Sequence, residues 1–144
     1  MDTATYVSAT DAVHRSWWNV DADFGAGAEL LYAEDGVCVM PTMTMRGRDE
    51  IAAGYAARQA NGPRLSRHLV SNLVVDDETG HITARYVLSL FAVNGLAPQA
   101  ADSPQAICDV VDTFVEDGSW LVQHRELTTI FVSPTTDSVM LQKS

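Results

Sequence analysis

The sequence predicts an α+β fold in which three helices of the N-terminal half cover a cone-shaped, curved sheet of antiparallel or mixed β-strands. Two observations support this fold class. Apolar residues at helical spacing are confined to about the first 60 positions, and residues 65–132 consist mostly of long extended segments separated by turn sequences. Long antiparallel hairpins twist and curl, so helices can cover the concave face. With 144 residues the chain has the size of one domain, and we expect it to enclose one pocket.

The first two helices are predicted from the spacing of their apolar residues. Residues 11–20 place Val13 and Trp17 on one face, and residues 24–33 repeat this pattern. Asp21-Ala22-Asp23 would form a tight joint between them. Glu34-Asp35-Gly36 would end the second helix.

A short strand, Val37 to Pro41, follows, since proline ends a strand or confines it to an edge. Gly47 closes a second short extended piece. The third helix, residues 48–60, opens with acidic residues near its positive end and stops at Asn61-Gly62-Pro63.

The remainder is predicted to be strand. The turn sequences Asp77-Glu78-Thr79-Gly80 and Glu116-Asp117-Gly118-Ser119 each separate two extended segments. The four strands expected from these boundaries cover residues 65–76, 81–93, 105–115 and 120–132. Residues 133–144 form a polar tail that we expect to be loosely held.

Composition limits the function classes. Nine Lys and Arg residues against 19 Asp and Glu give a net charge of −10, which argues against nucleic acid or an anionic membrane as a partner. The four His and two Cys show no metal-ligand spacing, and no glycine-rich loop joins a strand to a helix, so we expect neither a metal nor a nucleotide cofactor. The start of the chain lacks the pattern of a signal peptide and no apolar run is long enough to span a bilayer, so we expect a cytoplasmic location.

One strand carries groups suited to proton chemistry. Alternation along residues 67–75 directs His68, Val70 and Asn72 to one face, whereas Leu69 and Leu73 point to the other. The first face therefore presents an imidazole near a carboxamide in an apolar setting. An imidazole there can transfer protons near neutral pH.

Four segments together resemble the nuclear-transport-factor-2-like superfamily, and within it the SnoaL-like group. They are Leu31 to Val37, Arg46 to Ile51, Arg67 to Asn72, and Gly118-Ser119-Trp120 leading to Arg125. The resemblance covers residues 10–132 of one SnoaL-like domain. It implies the cone-shaped α+β barrel that hosts scytalone dehydratase, ketosteroid isomerase, polyketide cyclases and the small subunits of ring-hydroxylating dioxygenases.

The resemblance also implies site residues. Dehydratases of this superfamily have a histidine on the third strand, matched by His68, and an aromatic residue followed five positions later by an aspartate, matched by Trp18 and Asp23. Trp18 stands where those enzymes have tyrosine; it can stack on a substrate but offers an indole N–H in place of a phenol. The second acid or histidine of the next strand has no counterpart here.

Each predicted catalytic residue has a role and an alternative. Asp23 would orient the imidazole of His68, which would transfer the proton, and Asn72 would donate to a developing enolate oxygen or only position the substrate. His68 is alternatively a hydrogen-bonded histidine in a polar patch. Asp23 is alternatively a cap of the second predicted helix.

The binding residues predicted are Trp18, Tyr55, Asp109 and Arg125. Asp109 and Asp112 have opposite parity on one strand, so only one can face the pocket, and the pattern does not decide which. An inward carboxylate would have a raised pKa, whereas an outward one would pair with a neighbouring strand. Arg125 would bind a substrate oxygen or hold a carboxylate in a salt bridge. Tyr55 would belong to the core or line an apolar pocket.

The function predicted is a cofactor-independent dehydratase, isomerase or cyclase acting on a polyketide-, terpene- or steroid-like carbonyl compound. The alternatives are a non-catalytic binding or assembly module and an accessory subunit of a ring-hydroxylating dioxygenase. The outer face of the long strands, with Leu69 and Leu73, is apolar, and relatives dimerise through it, so we expect a homodimer.

Overall fold

A computed structural model describes residues 1–134 of the chain. It contains two α-helices, a short 3₁₀ helix (Ala28–Leu31) and six strands within these residues. The α-helices are α1 (Thr3–Asp23) and α2 (Gly47–Ala60), and the strands are β1 (Tyr32–Met40), β2 (Met43–Arg46), β3 (Arg64–Glu78), β4 (His81–Asn94), β5 (Ala106–Asp117) and β6 (Ser119–Val132). Residues 135–144 of the predicted polar tail lie outside the described part.

The six strands form one curved mixed sheet in the order β2-β1-β6-β5-β4-β3. Neighbouring strands are antiparallel except β1 and β6, which run parallel. Helix α1 packs mainly on β3 and helix α2 on β1. The predicted α+β class with a curved mixed sheet is confirmed, although with two α-helices instead of three.

The prediction of a helix over residues 24–33 is wrong. Asp21-Ala22-Asp23 is the last turn of α1, which ends where Phe24 adopts a left-handed conformation with φ 56°. Two glycines with positive φ follow, and the amide of Asn19 donates to the carbonyl of Ala26 to hold this turn. Since such backbone angles cannot continue a helix, only the 3₁₀ turn forms before β1. Strand β1 then begins at Tyr32 and includes Glu34-Asp35-Gly36, the segment predicted to end a helix.

The core lies between the concave face of the sheet and the two helices. Helix α1 contributes residues that recur at helical spacing, namely Ala9, Val13, Ser16, Trp17 and Val20. Strand β4 buries every second residue from Ile82 to Ala92. Cys38 and Cys108 are both buried free thiols. None of the helices within residues 1–134 is long and apolar enough to cross a membrane.

A bulge in β3 decides which of its side chains face the core. The register with β4 shifts between Ser71 and Val74, and Asn72 there has φ 54°. An inserted residue of this kind reverses the alternation beyond it. Leu73 therefore packs against the core instead of lying on the outer face beside exposed Leu69, which corrects the predicted assignment.

Gly25 combines a special backbone angle with a close contact. Its φ is 79°, and a Cβ added to it would collide with the ring of Tyr55, whereas Gly27 has φ 74° and open space. We expect Gly27→Ala to lower the free energy of unfolding by about 1–2 kcal/mol through the left-handed conformation. Gly25→Ala should cost a further 1–3 kcal/mol, roughly, because of overpacking. Urea denaturation measures both, and equal losses would show that the Tyr55 contact yields without cost.

Candidate active site

The centre of the candidate site is a hydrogen-bonded pair between β3 and the last turn of α1. The Nδ1 atom of His68 lies 2.6 Å from Oδ1 of Asp21, and their side chains are only 6% and 10% exposed. At this short distance Nδ1–H donates to the carboxylate. The Nε2 atom then carries the lone pair and is the ring nitrogen available to a ligand.

Asp21 is held in place by two further donors. The backbone N–H of His68 donates to its Oδ2 at 2.7 Å, and the hydroxyl of Ser66 donates to its Oδ1 at 2.8 Å. Ser66 and His68 are neighbours on the inner face of β3, so one strand supplies all three donors. The carboxylate is thereby fixed in both position and orientation.

Asp23 is not the partner of His68, and the predicted pairing is wrong. Asp21 and Asp23 are two residues apart on one helix and point about 200° apart around its axis. The helix turns Asp21 toward β3, which leaves Asp23 exposed at the helix end. Asp23 does not cap a following helix either, because α1 continues through it. The sequence did carry one signal for Asp21, its i+4 spacing from the core residue Trp17.

The pKa values of the pair are displaced in the same direction. Burial lowers the pKa of His68 below its ordinary value, against the opposing effect of Asp21. Burial acts to raise the pKa of Asp21, but the hydrogen bonds from His68 and Ser66 outweigh it, and its pKa is also lowered. At neutral pH the pair therefore consists of a neutral imidazole beside a carboxylate, the state required of a general base.

Trp17 supports the imidazole from the side of the core. Its ring stacks on that of His68 with centroids 4.8 Å apart and an interplanar angle of 17°. The guanidinium of Arg125 lies 4.4 Å from the centroid of Trp17, and the indole N–H donates to the hydroxyl of Tyr86 at 2.8 Å. Trp17 is thus fixed by both its ring and its N–H, and it limits how His68 can move.

A buried ion pair lies behind Trp17. Arg125 donates from Nε and Nη2 to the two oxygens of Asp112, each at 2.7 Å. Tyr86 donates to the same carboxylate at 2.8 Å, and Arg125 also reaches the hydroxyl of Ser16 at 2.8 Å. The side chains of Arg125 and Asp112 are 2% and 0% exposed. Because the pair is bidentate, buried and hydrogen-bonded to its neighbours, we interpret it as a structural ion pair.

This arrangement decides between the alternatives that the sequence left open for two predicted binding residues. Of the two aspartates of β5, Asp112 is the inward one, and Asp109 is exposed on the outer face opposite Val87 and Thr128. Asp109 is therefore turned away from the site. Arg125 faces inward as expected, but its guanidinium is used by Asp112, so of its two predicted roles the structure supports the salt bridge.

A cavity of about 380 Å³, here called the first cavity, opens beside the pair. His68 and Asp21 line it together with His14, Arg15, Trp17, Trp18 and Val70. Trp18 is 72% exposed at this opening and presents its ring to whatever enters. His14, Trp18 and Asp21 follow one another at i, i+4 and i+7, the spacing of one helix face. The sequence predictions did not include His14 or Arg15.

Asn72 and Tyr55 lie elsewhere. Asn72 occupies the exposed bulge of β3 and does not line the first cavity, because its left-handed conformation takes it out of the alternation that begins at His68. Tyr55 packs against the core beside Gly25, and burial raises its pKa to about 12. Neither residue lines the first cavity: Asn72 departs from its predicted role, and Tyr55 takes the core position that was the alternative to pocket lining.

No group of three or more His, Cys, Asp or Glu side chains that could hold a metal ion occurs within residues 1–134. The side chains that line the first cavity can themselves carry out proton chemistry. A neutral imidazole with a fixed tautomer can remove a proton, and the carboxylate stabilises the imidazolium that results. The aromatic walls favour an apolar, planar ligand.

Comparison with solved structures shows where this fold occurs. A protein assigned as a scytalone dehydratase from Novosphingobium aromaticivorans is 19% identical with a TM-score of 0.77, over 96% of this chain and 93% of that one. ActVI-ORFA from Streptomyces coelicolor is 22% identical with a TM-score of 0.73, over 87% and 97% of the two chains. The beta subunit of a protein assigned as an aromatic-ring-hydroxylating dioxygenase, also from Novosphingobium aromaticivorans, is 14% identical with a TM-score of 0.76, over 96% and 99%. At these identities the likeness establishes the fold.

The sequence comparisons establish the family. No curated protein sequence matches the chain significantly. The family profile that matches is described as the SnoaL-like domain, and it aligns with residues 2–126. The resemblance drawn from the four sequence segments is confirmed, and the chain belongs to the SnoaL-like domain family.

Proposed function

We propose that the protein is a cofactor-independent lyase or isomerase that moves a proton on a hydrophobic carbonyl compound of polyketide, terpene or steroid type. The observation that carries this proposal is the Asp21–His68 pair, whose imidazole lines a cavity large enough for a small ligand. One of the solved structures similar to this chain bears the name of a scytalone dehydratase, which is consistent with this chemistry.

In the proposed reaction, Nε2 of His68 removes a proton from the carbon next to the substrate carbonyl. The electron pair of the C–H bond moves onto the carbonyl oxygen to form an enolate, and Asp21 stabilises the imidazolium. In a dehydration, the enolate re-forms the carbonyl while the C–O bond at the β-carbon breaks. The imidazolium returns its proton to the leaving hydroxyl, so one water molecule is released and His68 is neutral again.

An isomerisation or a cyclisation uses the same first step. In an isomerisation His68 returns the proton to a different carbon. In a cyclisation the enolate carbon forms a bond to a second carbonyl carbon of the same molecule, the π bond of that carbonyl breaks to leave an alkoxide, and the imidazolium returns its proton to the alkoxide oxygen. Trp18 supplies a stacking surface for the substrate ring in each case. The residues within reach of the pair do not distinguish these outcomes, which depend on where the substrate carries its leaving group.

Two aromatic probes test the proposed chemistry directly. The enzyme should catalyse exchange of the α-protons of 1-tetralone with deuterium oxide, which is measured by mass spectrometry. It should also convert 3-hydroxy-1-tetralone to 1-naphthol, which is measured by absorbance. His68→Gln should reduce both activities by about 10²-fold or more, and Asp23→Asn should retain them. If neither probe nor a wider panel of β-hydroxy ketones reacts above the His68→Gln background, the catalytic proposal fails in favour of a binding module or an accessory subunit.

We also propose that the protein forms a homodimer through the outer face of its sheet. Cross-strand register brings Leu69, Ser89, Ile107 and Phe131 into one row there, and Leu69 and Phe131 are exposed. Such a row is too apolar to be left in water without cost. A two-fold pairing would bury it against its own copy.

A single charge on this face should disrupt the dimer. We expect Phe131→Glu to convert the dimer to a monomer in sedimentation velocity runs, because a carboxylate would be buried in an apolar interface. Leu30→Glu is the matched control, since Leu30 is 62% exposed and Phe131 66%, but Leu30 lies outside the sheet. A wild-type protein that sediments as a monomer, or equal effects of the two substitutions, would contradict the proposal.

A further inference from the structure

A second cavity, of about 420 Å³, borders the Asp21–Ser66–His68 cluster through Ser66. Its walls come from the end of α1, the end of α2 and the start of β3. The apolar part is formed by Val20, Phe24, Pro63 and Leu96. Because these walls are apolar, replacing the water there with a flat or aliphatic group of a ligand would be favourable.

The charge of the second cavity is opposite to that of the chain. Two arginines, Arg58 and Arg64, line it, and among the described residues 1–134 no carboxylate does, although the chain carries a net charge of −10. Arg64 donates to the side chain of Asn94 at 3.2 Å. The guanidinium of Arg58 has no ion pair or hydrogen bond with another side chain in the described residues 1–134. A cation next to apolar walls, in an acidic protein, favours an anionic ligand.

The second cavity adjoins the candidate catalytic pair. Ser66 lines it and donates to Asp21, and Val20 of its wall precedes Asp21 in the chain. The positive charge of Arg58 also acts on His68. Burial is the main cause of the lowered pKa of His68, and repulsion from Arg58 lowers this pKa further. A ligand anion bound at Arg58 would thus lie in the electrostatic range of the imidazole.

We propose that the second cavity binds the carboxylate of a small amphipathic molecule through Arg58, with the apolar part of that molecule against Val20, Phe24 and Leu96. The second cavity is separate from the first and shares no lining residue with it among the described residues, so this proposal does not depend on the function proposed for His68.

Arg58 has a competing structural explanation. It lies in the last turn of α2, where a cation interacts favourably with the negative end of the helix. That interaction needs only a charge at the helix end and is indifferent to ligands. Binding measurements therefore separate the two roles, because a helix-end cation would leave the affinity for an anion unchanged when removed.

The test compares 2-naphthoate with the uncharged 2-naphthamide by isothermal titration calorimetry. We expect the wild-type protein to bind 2-naphthoate at least tenfold more tightly. Arg58→Gln should remove this preference, and Arg58→Lys should keep part of it because the charge remains. Arg15→Gln, the matched control, removes an arginine that lines the first cavity and already pairs with Asp11, so it should leave the preference intact.

The inference would be overturned by equal binding of the two probes by the wild-type protein, by no binding of either, or by a preference that survives in Arg58→Gln. Loss of the preference in Arg15→Gln instead would place the carboxylate in the first cavity and also overturn it. Circular dichroism and the melting temperature of each variant show whether it is folded.

The same variants test the catalytic proposal independently of the carboxylate site. His68→Gln should bind 2-naphthoate with the same preference as the wild type while losing α-proton exchange on 1-tetralone. If the preference depends on Arg58 but no exchange occurs in any protein, the carboxylate site is retained and the enzymatic function is rejected. If exchange occurs but the preference for 2-naphthoate survives in Arg58→Gln, the enzymatic function is retained and the carboxylate site is rejected.

Discussion

Asp112→Ala is expected to lower the free energy of unfolding by about 3–5 kcal/mol, because it leaves the charge of Arg125 buried without a partner. Two hydrogen bonds from Arg125 and one from Tyr86 end on this carboxylate. Urea denaturation monitored by circular dichroism measures the loss. The change should also weaken the site, because Arg125 stacks on Trp17, which supports His68.

Asp109→Ala is the matched control for this prediction. It removes the same side chain from the same strand, but on the exposed outer face, and should change the free energy of unfolding by about 0.5 kcal/mol or less. The double variant Asp112→Leu with Arg125→Met should be more stable than Asp112→Ala alone, since no unpaired charge remains. A similar loss for Asp109→Ala and Asp112→Ala would contradict the role assigned to the buried pair.

His68→Gln is expected to reduce α-proton exchange by about 10²–10⁴-fold, the usual contribution of a general base. Asp21→Asn should cost up to about 10⁴-fold, because an amide can hold the imidazole in the wrong tautomer and cannot stabilise the imidazolium. Asp23→Asn, two positions along the same helix, should stay within about twofold of the wild type, as expected of an exposed side chain far from the reacting atoms. Exchange on 1-tetralone provides the measurement.

The pH dependence of the same reaction has a defined sign. His68 acts as a base only when neutral, and its pKa is lowered by burial, so the rate should hold at neutral pH and fall only at pH values below the ordinary histidine pKa of about 6.5. Comparable activity of His68→Gln and the wild type, or a loss in Asp23→Asn equal to that in Asp21→Asn, would contradict the assignment.

The long strands could be predicted from the sequence because their signals are local. Turn sequences such as Asp77 to Gly80 mark their ends, and alternating apolar residues mark their faces. The end of α1 could not be placed in the same way. The apolar spacing continues through Phe24 to Tyr32, but Phe24, Gly25 and Gly27 adopt left-handed angles that only the folded chain reveals.

The site was predicted in part, and each error of the prediction has a physical cause that the local sequence does not reveal. His68 faces the core because the alternation of β3 is regular from Ser66 to Val70. Asn72 departs from it because a bulge inserts one residue, and a bulge has no reliable local signal when its left-handed residue is not glycine. The choice of Asp21 over Asp23 depends on the rotation of α1 against β3, which is a tertiary property.

The parity of Asp109 and Asp112 was recognised, but its outcome depended on which face of β5 is buried. Both faces of this strand carry apolar residues, so the pattern alone left the choice open. The structure decides it through Arg125, whose partner across the β5–β6 pair is Asp112.

The most direct test of the central claim is an NMR titration that gives the pKa of His68 in the wild type, in Asp21→Asn and in Asp23→Asn, with the resonance assigned through His68→Gln. Asp21 favours the charged imidazole, so removing its charge should lower the pKa of His68 further, while Asp23→Asn should leave it unchanged. A His68 pKa that does not move in Asp21→Asn, or that moves equally in Asp23→Asn, would contradict the pairing on which the proposed chemistry depends.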